Sequence, residues 1–585
     1  MASISQLITT SIPTTFPLSS SCPFSPPRTT VSISGFKHHH HVSPISCSSR
    51  DHNQPLVDPT VDRRHVLVGL GSLYGASAAL TSLHEASAAP IAAPDLSACG
   101  PADLPPDATP TNCCLPSAGD ATEFVIPDPS SPLRVRPAAH SVDNDYIAKF
   151  AKGVALMKAL PADDPRNFTQ HANVHCAYCD GAYSQVGFPD LELQVHNSWL
   201  FLPWHRCYLY FFERILGKLI GDDSFAIPFW NWDAPDGMRL PAMYVDPTSP
   251  LYDPLRDAQH QPPTLVDLDF GGIDPSFSDK QQIDHNLKVM YRQIVSNAPT
   301  PRLFFGNPYR AGDNPNPGGG SLENVPHGPV HVWTGDRSQS ELEDMGNLYS
   351  AARDPVFFAH HSNIDRIWNV WKGLGSRRKD LADPDWLDAS FVFYDENANL
   401  VKIRVRDCID SDKLRYEYQD VGNLWLNTRP TVTSGVRPRV AGVAHANVVE
   451  PKFPIKLDSV VTAKVKRPKA ARTKEEKEEK EEVLVVEGIE LDRDVHVKFD
   501  VFVNVTDHGK VGPGGRELAG SFVNVPHRHK HDKMSKQLKT RLQLGLTELL
   551  EDLKVEGDGS IMVTLVPRQG KGKVKVSSLK IELVD

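Results

Sequence analysis

The sequence lacks any long apolar stretch and any excess of basic charge. No run of about 18 apolar residues, the least that indicates a membrane-spanning helix, occurs among its 585 residues. We therefore expect no integral membrane segment. Its 62 lysines and arginines are outnumbered by 72 aspartates and glutamates, which gives a formal net charge of -10. Because phosphate backbones are bound through basic surfaces, this composition argues against a nucleic-acid partner.

The N-terminal segment lacks acidic side chains and is rich in serine, threonine and proline up to Asp51. That composition is typical of a plastid transit peptide rather than of a folded domain. Arg63-Arg64, a weakly apolar run at 66–80 and small residues at 86–89 follow, which together indicate a twin-arginine export signal. Residues 1–88 are thus predicted to be a bipartite transit peptide that delivers the folded protein through the twin-arginine export machinery to the thylakoid lumen of the chloroplast. A secreted protein with an unusual leader is the alternative.

Six of the 24 histidines form two clusters. The clusters are His175, His196 and His205, then His327, His331 and His361. His205 opens an aromatic run and His361 follows a Val-Phe-Phe-Ala stretch, so both are predicted to be buried, where a polar group needs a partner. Neutral imidazole is a ligand for copper, zinc and iron alike. Three plus three imidazoles predict two copper ions that share one O2 molecule. A zinc hydrolase is an alternative, although such sites generally include a carboxylate ligand.

Several motifs in this order resemble those of one family. The segments HCAYC, LQVHNSWLFLPWHR, VPHGPVH and DPVFFAHHSNIDRIW resemble the copper A and copper B signatures of plant polyphenol oxidases, the catechol oxidases and tyrosinases with a type-3 dicopper centre. Asp385-Trp386-Leu387 and Lys498-Phe499-Asp500-Val501 resemble the family's DWL and KFDV segments. The resemblance covers the chain from about Ser97 to its end, and the leader. It implies an enzyme that oxidises o-diphenols to o-quinones and reduces O2 to water. It also implies that this enzyme is made as a latent proenzyme.

The resemblance also implies roles for residues around the metals. Glu323 matches a residue that orders an active-site water, and Leu348 falls at the position that gates copper B. Gly328 and Val332 follow the first and second copper B histidines. Relatives with strong tyrosinase activity often carry Asn at the first of these positions, so glycine favours o-diphenol oxidation over monophenol hydroxylation. A tyrosinase with substantial monophenol hydroxylation and a haemocyanin-like O2 carrier remain the alternatives. Asp365, one turn after His361, is a weaker candidate for anchoring a ligand.

Nine cysteines are present, and five of them cluster near the predicted mature N-terminus. Four cysteines allow three disulfide pairings, so the sequence alone leaves the connectivity open. The resemblance implies the pairs Cys99–Cys114 and Cys113–Cys176. It also implies a thioether bond from Cys179 to His196, which would hold that imidazole in place. A zinc site at Cys176 and Cys179 is disfavoured because the chain has no second CxxC motif.

The predicted fold is a mainly α catalytic domain, a four-helix bundle that holds the dicopper centre among long loops, at residues 89–432. Apolar spacing predicts a helix at 141–160, and further helices are predicted from His205 to Ile215 and from His361 to Trp371. His327 and His331 lie one helical turn apart. The resemblance pairs Arg136 with the tyrosine motif at residues 416–418 through a cation–π contact.

A charge run, KRPKAARTKEEKEEKEE, predicts a solvated linker at 433–482 that an activating protease can cut. Strict alternation of apolar residues from Val495 to Val505 predicts a C-terminal β-sandwich-like domain at 483–585, with one helix at 538–553. We expect this domain to cover the copper entrance; a folding or copper-loading aid is the alternative. His527, His529 and His531 invite a third metal site, which a solvated basic loop explains equally well.

Overall fold

The computed structural model describes residues 89–105, 108–116, 119–431, 451–505, 507–509, 511–512, 514–527 and 537–585. Three predicted features lie outside these residues: the transit peptide, the part of the linker at 433–450, and the pair His529 and His531. Within the described part of the chain, no helix combines the length and the apolar character that crossing a membrane requires.

The first part of the chain is mainly helical. Its helices, with those of the C-terminal part, are α1 Asn144–Ala159, α2 Phe168–Cys179, α3 Phe201–Ile220, α4 Asp279–Met290, α5 Pro301–Phe305, α6 Gly328–Thr334, α7 Val356–Gly373, α8 Pro384–Asp388, α9 Val405–Cys408, α10 Lys474–Glu479 and α11 Thr547–Leu553. A π-helical turn, Glu323–His327, leads into α6. The helices α2, α3, α6 and α7 surround the histidine clusters, as predicted for a four-helix bundle.

The predicted helices lie close to the observed ones but differ at their ends. The helix predicted at 141–160 is α1, which begins after the capping side chain of Asp143. His361 lies inside α7 rather than at its head, because the apolar residues from Val356 onward are themselves helical. Nearly all of α3 is buried, so both faces of this helix contact other parts of the domain.

Short strands join the ends of the catalytic domain. The strands are β1 Thr122–Glu123, β2 Arg134–Arg136, β3 Ser184–Gln185, β4 Phe188–Glu192, β5 Ser390–Tyr394, β6 Leu400–Arg404 and β7 Tyr416–Tyr418. The parallel pair of β2 and β7 sets the Arg136 guanidinium 3.8 Å from the centre of the Tyr416 ring and 5.6 Å from that of Tyr418. The predicted cation–π contact therefore lies in a buried position.

The C-terminal part is a two-sheet sandwich. Its strands are β8 Ile455–Lys456, β9 Val461–Lys466, β10 Glu481–Asp492, β11 Val497–Val503, β12 Leu518–Asn524, β13 Gln537–Gly545, β14 Ser560–Gln569, β15 Val574–Val576 and β16 Ser578–Val584. One sheet has the order β13-β10-β15-β8 with β16 also on β10, and the other has the order β12-β11-β14-β9. The predicted fold class is thus confirmed.

Two features of the C-terminal part differ from the prediction. The predicted linker at 433–482 contains β8, β9 and α10, and Arg467 in the charge run forms a buried ion pair with Glu482 at 2.7 Å. The charges therefore partly pair inside the sandwich instead of facing water. The helix predicted at 538–553 is a strand, β13, followed by α11, because Leu538, Leu542 and Leu544 follow the period of two that a strand requires.

The N-terminal arm contains one internal disulfide and is tied to the bundle by a second. Cys99 is bonded to Cys114, and Cys113 is bonded to Cys176 on α2. This is the pairing that the resemblance implied. Cys179 carries a free buried thiol, as do two further cysteines, Cys207 and Cys408.

Candidate metal centre

Two groups of buried histidines meet at the centre of the bundle. Within each group the ligand nitrogens lie within 4.8 Å of one another; the first group is His175, His196 and His205, and the second is His327, His331, His360 and His361. The rings of His205 and His361 stack at 4.2 Å with planes 6° apart, so the groups adjoin. All six histidines predicted as ligands are therefore in one place. His360 is an additional member that the sequence analysis missed.

Hydrogen bonds fix the tautomer of five of the six predicted ligands. Each Nδ1 lies 2.7–3.3 Å from an oxygen: His175 from Leu348 O, His196 from Gln194 Oε1, His205 from Phe201 O, His327 from Glu323 O, and His331 from Met345 O. Because carbonyl oxygens only accept hydrogen bonds, each Nδ1 must carry the proton. The lone pair then sits on Nε2. Histidines that hold a metal through one ring nitrogen typically donate such a hydrogen bond from the other ring nitrogen.

One short segment anchors both groups. The carbonyl of Leu348 accepts from His175 in the first group, and the carbonyl of Met345 accepts from His331 in the second. Four residues of backbone, 345–348, thus set the orientation of an imidazole on each side of the centre. A shift of this segment would misplace ligands in both groups at once.

The chemistry of the two groups fits a pair of metal ions. The Nε2 atoms of His175, His196, His205 and His327 are buried and have no hydrogen-bond partner among the described residues. The Nε2 atoms of His331 and His361 approach to 3.1 Å. Burial lowers the pKa of His175 to about 3 and that of His331 to about 4, so both rings are neutral near pH 7. Neutral, unpaired, convergent imidazole nitrogens are what a transition metal requires.

Three of the four other predicted site residues line one small cavity. The cavity has a volume of about 30 Å³ and lies against His196 and His327; its walls include Glu323, Gly328 and Leu348. Val332 does not reach it, and instead lines a neighbouring cavity of about 480 Å³. The structure therefore separates Val332 from the other candidates.

Glu323 is a buried carboxyl group at the edge of this cavity. Its Oε1 accepts from the backbone N–H of Asn197, while its Oε2 has no partner among the described residues. Burial raises the pKa of Glu323 well above its ordinary value, although backbone N–H groups oppose this effect. Because burial disfavours the charged form, this carboxyl group holds its proton more tightly than an exposed glutamate does.

Asp365, the weaker candidate for anchoring a ligand, has another role in the structure. It accepts hydrogen bonds from Arg206 at 2.5 Å and from Tyr416 and Tyr418 at 2.6 Å each. No hydrogen bond to His361 is found for it among the described residues. Asp365 therefore joins α7 to α3 and β7 instead of orienting an imidazole.

The remaining wall of the small cavity belongs to the C-terminal sandwich. It consists of the end of β12 and the residues that follow: Val523, Asn524, Val525 and His527. A Cβ atom on Gly328 would lie 3.1 Å from Val523 Cγ1 and 3.5 Å from Val525 Cγ2. The backbone N–H of Leu348 donates to Pro526 O at 3.1 Å. Two valine side chains thus cover the cavity. His527 lies there too and belongs to neither metal-ligating group.

The KFDV segment explains how the sandwich is held in this position. Phe499 and Val501 face the sandwich core, while the alternate residues face the catalytic domain. Lys498 Nζ lies 2.9 Å from Asp269 of the catalytic domain and 2.9 Å from Asp500, with all three side chains buried. Removing one partner from a buried ion pair costs about 3–5 kcal/mol. The KFDV segment therefore contributes both to the core of the sandwich and to its interface with the catalytic domain.

A buried carboxyl pair holds the segment that anchors both histidine groups. Asp344 precedes Met345 and shares a hydrogen bond with Asp253. Burial, together with the neighbouring carboxylates, raises the pKa of Asp344 to about 8 and that of Asp253 to about 6. The pair titrates as a unit and retains a proton at neutral pH.

Alkaline pH is expected to loosen this segment. The pKa values of Asp344 and Asp253 are raised in the folded protein. The pair therefore stabilises the folded state fully below the ordinary aspartate pKa of 3.8, and this stabilisation is lost as pH rises through about 6 to 8. Metal retention against a chelator should therefore fall above about pH 8. In Asp344→Asn this alkaline loss should shrink, whereas Asp246→Asn, in an exposed turn, should behave as wild type. An identical pH profile in Asp344→Asn would contradict the assignment.

Comparisons with known proteins agree with this architecture. Residues 165–374 match the common central domain of tyrosinase, 380–431 the polyphenol oxidase middle domain, and 453–583 the chloroplastic polyphenol oxidase C-terminal domain. The last match begins upstream of β8, which agrees with the observed extent of the sandwich. The fold and the histidine groups thus define a tyrosinase-type oxidoreductase.

Full-length similarity is more specific. The chain is 55% identical over 584 residues to the chloroplastic polyphenol oxidase of Malus domestica, covering 97% of each chain. It is similar to the structure of latent apple tyrosinase, with a TM-score of 0.75 and 58% identity over 80% of this chain and 100% of that one. A structure of active aurone synthase with copper B matches 57% of this chain and 100% of its own with 46% identity and a TM-score of 0.56. The chain belongs to the plant polyphenol oxidase family.

Proposed function

We propose that the protein is a latent catechol oxidase that holds two copper ions. The observation that carries this proposal is the convergence of six buried imidazoles, four of which have an Nε2 without a hydrogen-bond partner among the described residues. His175, His196 and His205 would hold one ion, and His327, His331 and His361 the other. When bound, the copper pair would supply the redox chemistry that couples oxidation of an o-diphenol to the reduction of O2 to water.

The surrounding residues bind the substrate and control water and protons. Glu323 Oε2 would accept a proton from a phenol hydroxyl, directly or through an ordered water, because it lies at the cavity with no hydrogen-bond partner among the described residues. Leu348 would bound the space in which the aromatic ring lies. The anchored Nδ1 positions keep the imidazoles fixed, so little reorganisation is needed when substrate arrives.

Gly328 favours o-diphenol oxidation in this proposal, since it offers no side chain to orient a monophenol. Gly328→Asn should raise the ratio of tyrosine hydroxylation to catechol oxidation. It should also raise the basal activity of the full chain, because a Cβ there would lie 3.1 Å from Val523 Cγ1 and press against the covering valines. The matched control is Gly373→Asn, where no atom lies within 4 Å of the added Cβ. An unchanged substrate ratio would remove the specificity role from Gly328.

A thioether between Cys179 and His196 is part of the proposal. The buried Cys179 thiol and His196 flank one side chain, since Gln194 Nε2 donates to Cys179 O at 2.9 Å and Gln194 Oε1 accepts from the backbone N–H of His196 at 2.9 Å. The bond would remove the free rotation of the imidazole and so favour metal loading.

Cys179→Ser is expected to retain the fold but to load copper less completely. Intact mass of the wild type should be two hydrogens lower than the two disulfides alone explain, and Cys179→Ser should lose this deficit. Cys207→Ser, at another buried free thiol, should keep it. A wild-type mass without the deficit would exclude the thioether.

The position of the C-terminal sandwich over the cavity supports a latent form of the enzyme. The composition of the N-terminal leader supports the proposed location of the protein in the cell. Val523 and Val525 would block phenols until a protease cuts near the segment 433–453, since later cuts would enter β8 and β9. The composition of residues 1–88, with the chloroplastic names of relatives, supports delivery to the chloroplast and then, through twin-arginine export, to the thylakoid lumen. Copper quantification together with turnover of catechol against tyrosine tests the function as a whole.

A further inference from the structure

His360 is the seventh histidine of the centre, and nothing in the six-ligand assignment uses it. It precedes His361 on α7 and is completely buried. Its ring centre lies 5.0 Å from those of His331 and His361, and it stacks over His327 at 5.5 Å. Four imidazoles therefore crowd the second metal position, where three are expected to bind.

The tautomer of His360 is opposite to that of the five anchored ligands. Trp232 Nε1 lies 3.1 Å from His360 Nδ1. An indole nitrogen can only donate a hydrogen bond, so His360 Nδ1 must accept it with its lone pair. The proton of the neutral ring then lies on Nε2. In this form His360 has no lone pair left for a metal ion.

The fold holds Trp232 in place. The backbone N–H of Trp230 donates to Ala359 O at 2.8 Å, directly before His360. One residue after Trp232, Asp233 forms a buried ion pair with Arg366 of α7 at 2.6 Å. The segment 230–233 is thus fixed to α7 on both sides of Trp232, and the tautomer of His360 is set before any ligand binds.

We propose that His360 is not a copper ligand but donates a hydrogen bond from Nε2 to the deprotonated oxygen of a bound phenol. His360 Nε2 is buried without a partner among the described residues. The ring that carries it has its centre 5.0 Å from those of His331 and His361. An anionic oxygen that enters the site supplies the missing acceptor, and a hydrogen bond to an anion is stronger than one to a neutral group. No proton or electron is transferred in this step. The inference rests on the proposed copper centre and adds a substrate-binding residue to it.

The tautomer can be measured without copper. In the copper-free full chain with ¹⁵N-labelled histidine, the signal that disappears in His360→Gln should have the shifts of an Nε2-protonated ring. Trp232→Phe should convert this signal toward the other tautomer or a mixture. An Nδ1-protonated His360 in the wild type would overturn the proposal. This readout stands even if the chain proves not to be a catechol oxidase.

Anion binding tests the donor itself. Azide, a small anion that needs no displacement of the sandwich, is titrated into the Cu(II)-loaded full chain. His360→Phe should keep the wild-type copper content but bind azide about tenfold more weakly or worse, the loss expected for one hydrogen bond to a charged group. His360→Gln, whose amide N–H can reach the same region, should recover much of the affinity.

Two results would overturn the assignment. Unchanged azide affinity in His360→Phe would show that Nε2 makes no bond to a bound anion. Loss of one copper ion per chain in both His360→Phe and His360→Gln would make His360 a ligand instead. Absence of copper from the wild type would contradict the proposed function and not the tautomer.

Discussion

Replacing His331 by alanine is expected to remove one copper ion per chain and nearly all catechol oxidation. His331 places its Nε2 3.1 Å from that of His361, and its Nδ1 is held by Met345 O at 2.7 Å. Alanine leaves two imidazoles in that ligand set, and the proposed reaction needs both ions. His205→Ala should have the same effect through the other ion. Copper is measured by mass spectrometry and activity by oxygen consumption.

His171→Ala is the matched control. His171 is also a buried histidine of α2, one turn before His175, but it stacks on Tyr208 and belongs to neither ligand group. Its replacement should lower stability while leaving two copper ions per folded chain. Full copper and normal turnover in His331→Ala would show that the ligand assignment is wrong.

Removing the C-terminal sandwich is expected to raise catechol turnover severalfold without changing the copper content. The sandwich contributes Val523 and Val525 to the cavity beside His196 and His327, which leaves only about 30 Å³. A phenol cannot enter such a space until this wall moves. Cleavage between residues 433 and 453 of the mature chain, followed by oxygen-consumption assays, tests this expectation.

Variants of the covering side chains distinguish a role of the sandwich in covering the cavity from a role in folding. Val523→Ala and Val525→Ala enlarge the cavity while keeping the sandwich attached, so they should raise the basal activity of the uncut chain. Val460→Ala, at an exposed valine of the same sandwich, should not. Equal activity in cut and uncut chains with equal copper would contradict covering, and would favour a folding or copper-loading role for the sandwich.

The clustering of these six histidines could be predicted from the sequence because each histidine lies in a local motif. His327 and His331 lie one helical turn apart, and His205 and His361 lie in apolar helical runs. Such signals depend only on neighbours along the chain. The carbonyls that orient His175 and His331 come from the distant segment at 345–348, whose sequence carries no pattern that predicts these contacts.

The structure differs from the sequence prediction where contacts join residues that are distant in the sequence or that no local pattern marks. The charge run before β10 looks solvated in sequence, yet Arg467 meets its partner Glu482 inside the sandwich. The sequence does not distinguish His360 from His361, because spacing cannot separate two adjacent histidines. Only the bond from Trp232, which lies 128 residues away, distinguishes its tautomer. Val523 and Val525 become recognisable as a cover only when the sandwich is seen against the cavity.

The most direct test of the proposed function is oxygen consumption with catechol by purified mature protein whose copper content has been measured. We expect two copper ions per chain and slow catechol-dependent oxygen uptake that rises severalfold after cleavage near residues 433–453. An O2 carrier would bind oxygen with no catechol turnover before or after cleavage. A chain that holds no copper, or that holds two ions and never consumes oxygen with catechol, would contradict the proposed function.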